Sequence, residues 1–240
     1  MHRAAFRRLL PAAALTIGGL LAVTGCDGAL PTVTRPPLPP VPTVTGTPSP
    51  ATAAATAAPT PLTAAQLAGI LPAVPSDAHP WTAGGPVGIL TPKQYVTTVY
   101  GSHLLTTELP LQEQRGLTFI TRRNWITTSG IMVDIYYDHF TRSSGAMSGY
   151  LEERTLERQN DAKAVDFTVP HTATSFGEAI PTLDSYGRAQ TKLHAVAGSV
   201  MIEVYVYAPA APDRALTTKL AQQAYTGICR ITDCTTDAQS

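Results

Sequence analysis

An α+β domain, an antiparallel sheet backed by helices on one face, is the fold class the sequence predicts, and three observations predict it. Val200, Ile202, Val204 and Val206 occupy every second position of their run, the period of a strand with one buried face. Two β-rich runs, "GLTFITRRNWI" and "IMVDIYYDHF", flank Thr128-Ser129-Gly130, a three-residue turn with glycine at the left-handed position. Leu216, Leu220, Ala224 and Ile228 recur at i, i+4 after Pro212 and Asp213, the stripe of an amphipathic closing helix.

The chain begins differently. Arg3, Arg7 and Arg8 precede an apolar run from Leu9 to Val23, the order of a targeting segment. Pro11, Thr16 and the Gly18-Gly19 pair interrupt that run, which is shorter than the roughly 20 residues a spanning helix needs. Residues 1–25 are therefore expected to be a signal peptide, not a transmembrane anchor. "FRRLL" at Phe6 to Leu10 is similar to a twin-arginine signal but lacks the usual polar residue before the pair and has Pro11 after it, so the general secretory route is expected.

The apolar run ends in Val23-Thr24-Gly25-Cys26, which resembles the lipobox of bacterial lipoproteins. The resemblance implies that Cys26 is the lipidation site, accepting a diacylglyceryl group whose two fatty chains suffice for stable membrane anchoring. The expected location is the extracytoplasmic side of the cell membrane, with the membrane itself as one partner.

Residues 26–61 hold the lipidated cysteine and a linker. Pro31 to Pro61 contains about half of the chain's 21 prolines and almost nothing large enough to build a core. It is expected to be disordered and extended, reaching up to about 3.1 Å per residue as polyproline II. Removing residues 1–25 leaves 14 basic against 17 acidic residues, and no run of like charge occurs. Nucleic-acid binding loses its electrostatic requirement.

The globular domain is placed at residues 62–235, followed by a disordered tail, 236–240. Thr63 is an N-cap for a short helix through Leu67, Ile70 and Leu71 that Pro72 ends. Thr91 and Pro92 open a second, through Tyr95, Val96 and Val99 to Gly101. Gly116 to Ile126 and Ile131 to Phe140 form the hairpin, which sets Trp125 opposite Val133 and Phe119 opposite His139. Ser143 to Gln159 is helical, with Met147, Tyr150 and Leu151 inward and Glu152, Glu153 and Arg154 outward. Strands are expected at Ala164 to Val169, Tyr186 to Leu193 and Ser199 to Tyr207, before the closing helix. From "GLTFITRRNWITTSGIMVDIYYDHF" onward the pattern resembles exported lipoproteins of high-GC Gram-positive bacteria with a PsbP-like α+β domain. That likeness implies a fold and no reaction.

No catalytic residue is assigned. Ser148 in Gly145-Ala146-Met147-Ser148-Gly149 stands one place too late for a nucleophile elbow. Asp138 and His139 point to opposite faces of their strand. His79, His103, His171 and His194 are scattered without ligand spacing, so no metal and no cofactor is expected. Cys229 and Cys234 flank "RITD" at the end of the closing helix, and in an exported chain they read as a disulfide contributing about 2 kcal/mol.

The remaining candidate is a sheet face. Burying the aliphatic stripe turns Asp134, Tyr136, Glu203, Tyr205 and Tyr207 to the other side, with Arg122 opposite Tyr136 and Asn124 opposite Asp134. Tyrosines with a few charges favour recognition, so these seven residues are the expected binding face for an unknown envelope ligand or protein. On that reading Tyr205 can be truncated at little cost to stability, whereas Ile202 cannot. Arg123 is the difficulty, since alternation drives it into the core unless a bulge or register shift intervenes. Two functions stay open: a non-catalytic binding or interaction module, or an envelope hydrolase using the dispersed groups Asp134, Glu203 and His139. A cleft above Tyr136 and Tyr205 would distinguish them from a purely structural domain.

Overall fold

Two capping boxes start the folded region. In the computed structural model, which describes residues 62–160, 163–232 and 234, the Thr63 hydroxyl accepts from the Gln66 amide while the Gln66 side chain accepts from the Thr63 amide. This fixes helix α1, Ala64–Gly69. Thr91 and Gln94 repeat the arrangement at α2, Pro92–Val99, with Pro92 in its first turn. Cys26, the signal peptide, the linker and the tail lie outside the described residues.

Between these helices are two short strands, β1 (Ala78–His79) and β2 (Gly88–Leu90). A helix not foreseen from the sequence follows, α3, Leu105–Arg115, with Pro110 inside it. Gly116 ends it in the left-handed conformation (φ 84°), its amide donating back to the carbonyls of Gln112 and Glu113. Then come β3 (Leu117–Thr127), β4 (Met132–Phe140), α4 (Ser143–Asn160), β5 (Val165–Phe167), β6 (Thr174–Ile180), β7 (Arg188–Ala197), β8 (Val200–Pro209) and α5 (Arg214–Ile231). The last helix is capped by the Asp213 carboxylate, which accepts from the Leu216 amide.

The eight strands form one antiparallel sheet in the order β1-β3-β4-β8-β7-β6-β5, with β2 also pairing to β3. The hairpin register agrees with the expectation: Trp125 faces Val133, Arg122 faces Tyr136, Asn124 faces Asp134 and Phe119 faces His139. Gly130, at φ 84°, makes the turn. From β4, in the middle of the sheet, α4 carries the chain to the far edge, and β5 to β8 meander back until β8 lies beside β4.

Helices cover both faces of this sheet, not one. On the first face Trp125, Val133, Ile135, Ile202, Val204 and Val206 pack with Leu67 of α1 and Leu220, Ala224 and Ile228 of α5. On the second, Ile120, Tyr136, Met201 and Tyr205 pack with Tyr95, Val96 and Val99 of α2 and Ala146 and Tyr150 of α4. The hydrophobic effect accounts for the second layer: the rings that read as a recognition surface carry enough apolar area to need a cover.

Arg123 keeps its place in the register without a shift. Its guanidinium reaches the end of α1 and donates to the carbonyls of Leu71 and Pro72, both at 2.8 Å, with Ala68 at 3.5 Å. Backbone carbonyls of the turn that follows the helix thus receive a charged donor. At the other end of the chain, Cys229 and Cys234 form a disulfide, with Cα atoms 5.0 Å apart.

Candidate functional site: a roofed polar network on the second face

Strand parity sends two rows of polar side chains to the second face. Cross-strand pairing lines up Arg122, Tyr136, Glu203 and His194 in one row, and Asn124, Asp134, Tyr205 and Lys192 in the next. The seven residues expected to form the binding face therefore do share a face. It is not open to solvent: Arg122, Asn124, Asp134, Tyr136, Glu203 and Tyr205 are all buried, and Tyr207 is half-buried. Where a cleft was sought above Tyr136 and Tyr205, the ring of Tyr95 from α2 stands edge-on to Tyr136 at 6.0 Å, and Tyr136 in turn meets Tyr205 at 6.3 Å. The expectation of an exposed tyrosine surface is corrected to a core with polar tips.

Those tips are bonded to one another. The Glu203 carboxylate accepts from the Tyr95 hydroxyl at 2.8 Å and from the Tyr205 hydroxyl at 2.5 Å. Burial, then the negative charge of Asp138 and Glu203, holds the Tyr95 phenol well above its usual pKa, so it remains a donor. Arg122 grips Asp134 through two parallel bonds of 2.9 and 2.8 Å, and Tyr136 adds a third donor to the same carboxylate. The guanidinium also donates to the carbonyl of Pro86 at 2.8 Å, joining the loop before β2 to this face.

Hydrolase chemistry from Asp134, Glu203 and His139 finds no shared site here. Asp134 and Glu203 are engaged as described, while His139 belongs to the first face, stacked on Phe119 with ring centroids 4.6 Å apart. Sheet pleating puts His139 on the face opposite the two carboxylates.

Helix α4 brings residues that the sequence reading placed elsewhere. Leu151 is half-exposed, and Glu153, expected outside, is buried beneath the helix with its carboxylate accepting from the Tyr100 hydroxyl at 2.9 Å. One turn on, Glu157 accepts from the Lys192 ammonium of β7. Donor atoms of Glu153, Glu157 and His194 all lie within 4.8 Å of one another. The helical spacing of Glu153 and Glu157 is visible in the sequence, but their meeting with His194 depends on α4 crossing over β7. Glu203 stands on the Nδ1 side of the same imidazole, its Oε2 at 3.9 Å.

No protein-family model matches this chain, and no curated protein matches it. Among solved structures, it is similar to the extracellular domain of PknH from Mycobacterium tuberculosis, with 12% identity and a TM-score of 0.44, over 70% of this chain and 92% of that one.

Proposed function

We propose that this chain is a lipid-tethered, extracytoplasmic lipoprotein whose folded domain is a non-catalytic binding or interaction module. The observation that carries the reading is Cys26 in the Val23-Thr24-Gly25-Cys26 context, at the junction of an apolar leader and a proline-rich spacer. The Cys229–Cys234 disulfide supports it, because such bonds persist in oxidising compartments. The non-catalytic part is supported by the sheet-face carboxylates, which are committed to Arg122, Tyr136, Tyr95 and Tyr205 instead of facing an open pocket. With the second face roofed, a macromolecular partner would meet the outer surfaces of the helices and loops.

The test is replacement of the anchor. Cys26→Ala expressed in an exporting bacterium is expected to leave the membrane fraction or to accumulate with its leader uncleaved, while the wild-type chain partitions into detergent. A Cys26→Ala protein that stays membrane-bound and is cleaved at the same site would overturn the lipoprotein reading.

A further inference from the structure

We propose that Glu153, Glu157 and His194 form a binding site for a transition-metal dication of the Zn²⁺ class. The inference concerns the folded domain alone and does not depend on the anchor at Cys26. Two carboxylates one helical turn apart on α4 face a buried imidazole on β7, with donor atoms within 4.8 Å of one another. Two oxygen donors and one nitrogen donor, with a further position left for water, make a set that Zn²⁺ accepts. An all-oxygen ion such as Mg²⁺ gains little from the imidazole.

The surroundings orient each donor. Tyr100 holds the Glu153 carboxylate, and Lys192 holds that of Glu157. Glu203 places its Oε2 3.9 Å from Nδ1, on the side of the ring away from the proposed site, which leaves Nε2 for the cation. His194 is 1% exposed, whereas the Glu157 and Lys192 side chains are 12% and 15% exposed, so the site opens to solvent at the Glu157 end.

Lys192 gives the site its most discriminating property. Its ammonium sits on Glu157 where it supplies positive charge, so a metal ion must displace it or share the carboxylate with it. Lys192 is thus a tethered competitor, and removing it should strengthen metal binding, the reverse of what removing a ligand does.

The experiment titrates ZnCl2 into the full-length chain, purified in detergent and stripped of metal, by calorimetry, with thermal unfolding in parallel because a ligand of the native state raises Tm. The expected result is one saturable site, weakened about tenfold or more by Glu157→Gln and tightened about threefold or more by Lys192→Met. Unfolding of each variant without metal reports whether it has folded, and Glu157 and Lys192 are chosen because both reach the surface. Absence of a saturable heat and of a Tm shift in the wild type overturns the proposal. Equal affinity in Glu157→Gln, equal affinity for MgCl2, or weaker binding by Lys192→Met overturns it as well.

Discussion

Tyr205 shows how a residue with a polar tip can belong to a core. Its ring is 3% exposed, edge-on to both Tyr136 and His194, and its hydroxyl is bound to Glu203. Tyr205→Ala is therefore expected to cost about 3 to 5 kcal/mol, comparable to about 2 to 5 kcal/mol for Ile202→Ala on the other face. Tyr205→Phe, which keeps the ring and removes one donor from a buried carboxylate, should cost about 1 to 3 kcal/mol. Denaturant unfolding of the three variants checks the order; a Tyr205→Ala protein as stable as the wild type would put the ring outside the core. His139 yields a pH prediction. Burial holds its imidazole below the usual pKa, so the unfolded chain takes up a proton that the folded chain resists. Stability is then fully present above the ordinary histidine value, near 6.5, and is lost as pH falls through that value toward the lower folded one. Melting temperatures of wild type and His139→Gln between pH 8 and pH 5 test this, with a shallower decline expected for the variant. Identical declines would remove His139 as the cause.

Elements differ in how much of themselves they wrote into the chain. Helices α1 and α2 were legible because Thr63 and Thr91 cap them locally, and the β3–β4 register because Gly130 fixes the turn and hence every pair beyond it. Helix α3 is not legible in the sequence because Pro110 interrupts its pattern. Nor is strand β6, because Gly177 and Glu178 break the apolar alternation; a Cβ on Gly177 would lie 2.5 Å from the Phe167 ring, so the position answers to a neighbour rather than to strand propensity. The candidate metal ligands were illegible for a related reason: Glu153 looks like a solvated helix residue until β7 is placed beneath it. Helix α5 supports a further prediction. Its disulfide closes a loop of only a few residues, so reduction should lower stability by about 2 kcal/mol and leave the sheet intact. Thermal unfolding of a Cys229→Ser/Cys234→Ser protein, with alkylation of the unreduced wild type finding both thiols blocked, checks both halves. A loss above that of Ile202→Ala would mean that the bridge supports the whole fold.

At the scale of the molecule, the sheet joins segments that are distant in sequence. Strands β4 and β8 are neighbours although α4, β5, β6 and β7 separate them in sequence, so the centre of the sheet is built from non-local pairs, the kind of topology that folds slowly. Its two margins are short strands, β1 and β2 at one side and β5 at the other, which leaves little unpaired backbone to recruit another chain. Were the domain loaded through its N-terminus, as the proposed tether would do, Arg123 would take on a mechanical meaning. Tension arriving along the proposed tether reaches α1 first, a six-residue helix fastened to β3 by the Arg123 bonds and by Leu67. If the proposed tether loads the domain through its N-terminus, the expected outcome is that this helix tears away while the long strands behind it keep their register. In a force trap, wild type stretched between residue 62 and the end of α5 should show a small early extension before the sheet yields. Arg123→Met should bring that first step to lower force and leave the second unchanged.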